Sequence, residues 1–286
     1  MARAALEARI AAALGAEPKR IGPLSGGCIG DVYAVDFDAG DRVVVKHDAS
    51  ADAQLDVEAY MLRYLNEHSD LPVPSVRYAA ADLLIMDFID GDSQFNTQSE
   101  THAAELLAAL HACRADSFGL ERATLIGGLH QPNPRAASWI EFFREHRILH
   151  MARKANDEGR IDSKLLARIE SFARMFDQLL IEPPHPSLLH GDVWTTNVLA
   201  QHGRITGFID PAVYYGHPEI ELAFTTLFGT FGDAFFNRYH ELRPISDGFF
   251  DTRRDIYNCY PLLVHVRLFG SSYVSGISRV LARHGC

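Results

Sequence analysis

The spacing of apolar residues divides this chain into a strand-rich beginning and a helical remainder. From Ala4 to Leu14 the apolar positions are interrupted by Glu7 and Arg9, which predicts an amphipathic helix stopped by Gly15. The period then drops to two. Ile21 to Leu24, the run through Val32, Tyr33, Val35 and Phe37, and Arg42-Val43-Val44-Val45-Lys46 read as strands, with Asp38 to Asp41 a turn. Helical spacing returns between Ala53 and Glu67 on the stripe Leu55, Ala59, Leu62 and Leu65. Leu71-Pro72-Val73-Pro74 ends it, and Val76 to Tyr78 with Leu83 to Phe88 give two further strands.

Beyond residue 91 helices dominate. Thr97 with Glu100, and Ser138 with Glu141, read as capping boxes, the second before a helix carrying Ile140, Phe143, Arg147 and His150. Leu165, Ile169, Phe172, Phe176 and Leu179 form a stripe closed by Pro183-Pro184. Further helices are expected at Glu219 to Phe228, Ala234 to Arg243 and Thr252 to Val280, the last broken near Gly270. The expected organisation is α+β: residues 1–90 a lobe of strands plus one long helix, residues 91–286 a larger helical lobe.

Composition narrows this picture. In 286 residues, 47% hydrophobic and 22% charged, there is apolar sequence for a sizeable core. The net charge of −10 argues against a nucleic-acid partner and weakly against an anionic membrane, but it does not exclude ATP, whose charge a lysine and Mg²⁺ offset. No run reaches membrane-spanning length, and the first helix does not read as a signal peptide. Cys28, Cys113, Cys259 and Cys286 are scattered with no C-x-x-C pair, which fits reduced thiols and a cytoplasmic setting.

The chemistry is concentrated in His190-Gly191-Asp192-Val193-Trp194-Thr195-Thr196-Asn197 and in Asp210. Val198 to Ala200 and Ile205 to Ile209 read as a hairpin that brings Asn197 and Asp210 to one end, with Asp192 on the loop before it. One carboxylate that takes a hydroxyl proton, beside an amide oxygen and a second carboxylate that hold Mg²⁺, is an arrangement for phosphoryl transfer. Ser25-Gly26-Gly27-Cys28-Ile29-Gly30 between two strands reads as a phosphate-covering loop, with Ser25 where the first glycine of G-x-G-x-x-G belongs. Lys46 ends the next strand, and Glu58, twelve residues on, stands where it can pair with that lysine. Asp87-Phe88-Ile89 reads as a hinge whose backbone meets adenine. His146 and His150 share a helix face, but no third metal ligand accompanies them.

With these parts in place, the chain resembles the fructosamine kinase (ketosamine-3-kinase) family, within the wider protein-kinase-like fold. The resemblance spans nearly the whole length and is carried by LLHGDVWTTNVL (188–199), GFIDPAVYYGHPEIELAFTTLFG (207–229), IGGLHQPNP (126–134), WIEFFREHRI (139–148) and YNCYPLLVHVRLFGSSY (257–273). It implies ATP-dependent phosphorylation of the third hydroxyl of ketosamines, small or protein-bound. It further implies Asp192 as base, Asn197 and Asp210 as Mg²⁺ ligands, Lys46 as phosphate clamp steadied by Glu58, and Trp194 packed on the substrate. His217 and Glu219 either contact the substrate or anchor their loop to the next helix, and Gln131-Pro132-Asn133 with Tyr214 to His217 are expected to set the substrate class. An aminoglycoside- or choline-type phosphotransferase and a catalytically silent nucleotide binder are the alternatives.

The chain departs from protein kinases at Gly191, where HRD has arginine, and at Pro211-Ala212, where DFG has Phe-Gly, and no A-P-E follows. Glu221 stands where the family has aspartate, which puts its helix-anchoring role in question. Cys28, in the phosphate loop, is a candidate redox site through which a monomer would become a disulfide-linked homodimer.

Overall fold

The structure, a computed structural model, describes residues 3–24, 31–38 and 40–286. The first helix, α1 (Arg3–Leu14), ends where Gly15, at φ +69°, donates its N–H to the Ala11 carbonyl. It lies over an antiparallel sheet of β1 (Arg20–Pro23), β2 (Asp31–Asp36), β3 (Arg42–His47), β4 (Val76–Ala80) and β5 (Leu83–Asp87), ordered β1-β2-β3-β5-β4. Alternation along β3 sends Val43 and Val45 into a small core with Leu6, Ile10 and Ile85 under α1. The same alternation turns Lys46 toward the opposite face, where α2 (Leu55–His68) crosses.

The apolar side of α2 joins the larger core of the molecule, so Leu62 and Leu65 share one cluster with Leu107, Phe142 and Phe208. Helix α3 (Thr97–Leu110) is capped one residue earlier than the sequence suggested. Asn96 accepts from the N–H groups of Gln98 and Ser99 while the Ser99 hydroxyl accepts the Asn96 N–H, so one amide oxygen serves two free N–H groups of the first turn. The expected box at Ser138 is only half made. Ser138 caps Glu141 N–H, but Glu182, from another segment, takes the Trp139 and Ile140 N–H groups.

Two short strands not foreseen, β6 (Thr124–Ile126) and β7 (Leu129–Gln131), flank a Gly127-Gly128 turn with both φ positive. Then α4 (Trp139–Phe143) passes through a π-helical turn into α5 (His150–Asp157), followed by α6 (Ser163–Ala173) and α7 (Phe176–Leu179). Next come β8 (Ser187–Leu189), the hairpin β9 (Val198–Gln201) and β10 (Arg204–Phe208), and β11 (Tyr214–Gly216), which pairs back to β8. The hairpin turns at His202-Gly203, again with positive φ at both residues. Helices α8 (Pro218–Leu227), α9 (Asp233–Leu242), α10 (Arg254–Phe269) and α11 (Val274–Arg283) complete the chain, with Gly270 at φ +97° after α10. Among the described residues no helix is long and apolar enough to cross a membrane, and Cys113, Cys259 and Cys286 are free.

Candidate active site

Pairing of β8 with β11 brings His190-Gly191-Asp192 against Pro211-Ala212. The Ala212 N–H donates to the His190 carbonyl at 2.7 Å, and Gly191 adopts φ +87°. A Cβ on Gly191 would drive into the Ala212 carbonyl. This explains glycine in place of arginine: both the left-handed backbone and the close approach exclude a side chain. Gly191→Ala is expected to lower stability by at least about 1–3 kcal/mol, the cost of a strained left-handed residue; urea unfolding curves coinciding with wild type would refute that account.

Glu221, on α8, is the buried anchor of this loop. Its carboxylate accepts the Gly191 N–H at 2.5 Å and the His190 N–H at 3.4 Å, and it accepts from His111 Nε2 at 2.9 Å. With that proton given to Glu221, His111 Nδ1 accepts the Tyr239 hydroxyl at 2.7 Å. The extra methylene relative to aspartate therefore does not forfeit the anchoring geometry. Burial alone would raise the Glu221 pKa, but the His111 hydrogen bond, the nearby His190 ring and the Gly191 N–H outweigh it and hold it below the ordinary value.

Past the loop, a single 3₁₀ turn, Thr195–Asn197, points Asn197 back at Asp192. Asn197 Nδ2 donates to the Asp192 carbonyl at 3.1 Å and to its carboxylate Oδ2 at 2.9 Å. The Asn197 carbonyl in turn accepts the Ile209 N–H at 3.0 Å, which sets Asp210 beside Asn197 as the hairpin reading required. Asp210 has φ +55°, an uncommon backbone for a residue with a side chain and one that clusters at functional sites.

Lys46 closes the arrangement from above. Its ammonium donates to Glu58 at 2.7 Å and to Asp210 at 2.5 Å, so β3, α2 and the end of the β9–β10 hairpin meet at one nitrogen. Burial opposes the lysine's charge, but Asp210 and Glu58 prevail and its pKa rises. Asp192 is pushed well above the ordinary carboxylate value, first by burial and then by the Asp210 charge, against the opposing Asn197 hydrogen bond. A raised pKa makes this carboxylate a better proton acceptor.

Lys46, Glu58, Asp192, Trp194, Asn197 and Asp210 all line one cleft of about 450 Å³. Trp194 is half-buried there, its ring 5.3 Å from that of Phe228. The phosphate loop expected at Ser25, Gly26, Gly27, Cys28 and Ile29, with the redox role of Cys28, lies outside the described residues. Asp87, Phe88 and Ile89 connect the sheet to the helical lobe without lining the cleft: Asp87 binds Arg77, Phe88 lies under the Arg42 guanidinium, and Ile89 covers Gly207. Asp92 and Ser93, a few residues on, line the cleft instead, and only the Asp90-Gly91 turn hinted at them.

Several expectations about the substrate side need correcting. His217 and Glu219 do not line the cleft. His217 accepts the Glu219 N–H as the cap of α8, and Glu219 is clamped by Arg253 at 2.6 and 2.7 Å, so of the two alternatives the geometry supports anchoring. Gln131 and Asn133 are buried too. Gln131 bonds Thr124, the Ala212 carbonyl and Tyr260, while Asn133 bonds Thr124 and Arg147. They hold the Gly127-Gly128 turn, which does line the cleft, against the Pro211-Ala212 loop. Among the described residues no three His, Cys, Asp or Glu side chains are grouped to hold a metal, and the His146–His150 pair gains no third ligand.

Comparison with known proteins agrees with this geometry. The fructosamine kinase family model matches residues 3–284. A chloroplastic protein-ribulosamine 3-kinase of Arabidopsis thaliana is 33% identical over 272 residues, covering 92% of this chain and 81% of that protein. The crystal structure of a Thermobifida fusca YX-ER1 protein assigned as a fructosamine-3-kinase has a TM-score of 0.87 at 30% identity, covering 97% of this chain and 98% of the other. The aminoglycoside phosphotransferase APH(4)-Ia, solved with ADP and hygromycin B, has a TM-score of 0.66 at 18% identity over 97% of this chain and 94% of its own, a likeness of fold.

Proposed function

This chain belongs to the fructosamine kinase family, and on that premise we infer that it is an ATP-dependent kinase acting on the 3-hydroxyl of ketosamines. The two-lobed protein-kinase-like fold carries a small antiparallel sheet and a larger helical lobe, as the family requires. One observation supports the reading above all: the Lys46 ammonium held between Glu58 and Asp210, facing the Asp192–Asn197 pair across the same cleft. Lys46 and Glu58 come from the strand lobe and Asp192 from the helical lobe. Bound between them, nucleotide phosphates and a hydroxyl acceptor would be held in line.

In this proposal Asp192 orients the sugar hydroxyl and takes its proton as the oxygen–phosphorus bond forms and ADP leaves. Asn197 fixes the Asp192 carboxylate through Nδ2, so its Oδ1, with only a 3.4 Å contact from Thr196, remains an oxygen donor. That oxygen and the Asp210 carboxylate are the hard, oxygen-only set that suits Mg²⁺, with the nucleotide phosphates supplying further ligands. Mg²⁺ there would neutralise phosphate charge, and Lys46 adds its own positive charge against the Asp210 side. Trp194 offers an indole face to the apolar side of the sugar or to a cationic amine. Scattered free thiols fit a cytoplasmic enzyme, on free or protein-bound adducts.

A panel with ATP and Mg²⁺ tests the substrate class. Ribulose- and fructose-lysine derivatives are expected to be phosphorylated with higher kcat/KM than kanamycin, choline or a peptide serine. Faster turnover of an aminoglycoside or of choline than of every ketosamine would give that class the site, and no turnover of any acceptor would leave a silent nucleotide binder.

A further inference from the structure

A second cavity, of about 370 Å³, opens on the helical lobe apart from the phosphotransfer cleft, and the two share no lining residue. Its wall is assembled from the segment after α3, the proline-rich approach to β8, the start of α8, the end of α9 and the loop after α9. The carboxylate oxygens in that wall are committed elsewhere. The Glu182 carboxylate is used up on Ser138 and the N–H groups of Trp139 and Ile140, and Glu219 is clamped by Arg253. Arg114 and Arg243 also line the cavity, and no ion pair among the described residues engages either guanidinium. Both press their positive charge on His185 between them, whose pKa is lowered first by burial and then by these two arginines.

Polar atoms in the same wall lack partners. Among the described residues, Ser187 Oγ and His185 Nε2 have no hydrogen-bond partner, and His217 Nε2 comes no closer than 3.9 Å to the Glu219 carboxylate. Two guanidinium groups without an ion pair among the described residues share this wall, on a protein whose net charge is −10. Guanidinium groups in a concave wall that form no ion pair are ready receivers for an oxyanion. Ile181 and Leu242, both exposed, add an apolar edge.

We infer that this cavity is a second ligand site, for a small oxyanion, phosphate or carboxylate, received by Arg114 and Arg243. Guanidinium forks suit either oxyanion. The site is also wired to the catalytic loop. Tyr239 lines the cavity and gives its hydroxyl to His111, His111 bonds Glu221, and Glu221 holds the Gly191 and His190 N–H groups. Occupancy is thereby relayed to Asp192 along three side chains and one backbone loop.

The test fills the cleft with saturating Mg-ADP and titrates inorganic phosphate and, separately, benzoate by calorimetry. At least one anion is expected to bind with a stoichiometry near one, and the R114Q/R243Q double variant to bind it about tenfold or more weakly, as for the loss of a charge-assisted hydrogen bond. Mg-ADP affinity of that variant should be unchanged, which separates failure of this site from failure of the kinase reading. The tighter of the two anions identifies the ligand class. No binding of either anion at tens of millimolar, or equal binding by the double variant, overturns the site. For the relay, the bound anion should change wild-type kcat by about fivefold, in the usual range of coupling, and Tyr239→Phe should still bind it without that response. An anion that binds wild type but leaves kcat and KM unmoved overturns the relay.

Discussion

Asp192→Asn is expected to lower kcat by about 10²–10⁴, the usual worth of a positioned general base, while Mg-ATP binding stays close to wild type. The amide keeps an oxygen to accept the Asn197 Nδ2 hydrogen bond, so the loop is held, but it no longer takes a proton. Asp210→Ala behaves differently. It removes a carboxylate from the proposed metal ligands and leaves Lys46 paired with Glu58 alone, so nucleotide affinity and turnover should both fall. Single-turnover kinetics beside equilibrium Mg-ATP binding separate the two effects. Near wild-type turnover by Asp192→Asn on a ketosamine would remove Asp192 from the chemistry.

The second large effect is expected at Glu221, which reaches no substrate. Glu221→Ala leaves His111 without its acceptor and the Gly191 and His190 N–H groups without theirs, all in the interior. Breaking one side of a buried, hydrogen-bonded charge arrangement costs about 3–5 kcal/mol, and loosening the loop should lower kcat in the molecules that remain folded. Glu221→Asp keeps the charge and should recover most of the stability. Because the Glu221 pKa is depressed in the folded chain, its contribution is present above the unfolded carboxylate pKa and is lost as pH falls through the folded value. Urea midpoints across acidic pH test this: wild type should lose stability there, and Glu221→Ala should lose less. Parallel curves for the two proteins would mean that Glu221 is not the ionised anchor.

How far the site was legible depended on whether spacing alone could place a residue. Asn197 and Asp210 could be paired because a short hairpin closes on itself: His202-Gly203 permits the tight turn, and a spacing of thirteen positions leaves one geometry. Lys46 and Glu58 could be paired because a strand, a turn and a helix have fixed reach over twelve residues. The third partner of Lys46 could not. Asp210 lies 164 residues away, and no local rule relates a strand in one lobe to a loop in the other. The role of Glu221 was similarly hidden, since its partners His111, His190 and Gly191 come from α3 and the loop after β8.

The readings that spacing left open have the same origin. His217, Glu219, Gln131 and Asn133 were polar residues in family-specific stretches, and a sequence does not show whether a polar side chain faces a ligand or another segment. Here all four are buried and satisfy the backbone and Arg147 or Arg253. The strands β6, β7, β8 and β11 were missed because three residues are too few to show a period.

By itself the sequence determined the local parts: the alternation that turns Lys46 away from the small core, the hairpin that sets Asn197 next to Asp210, and the glycine at 191. Those follow from backbone sterics and side-chain period, which act over a few residues. Only the tertiary structure decided that Lys46 meets Asp210, that Glu221 holds the catalytic loop, and that Arg114 and Arg243 share a cavity. Those depend on burial and charge between segments far apart in sequence, and such contacts exist only once the large core has packed them together.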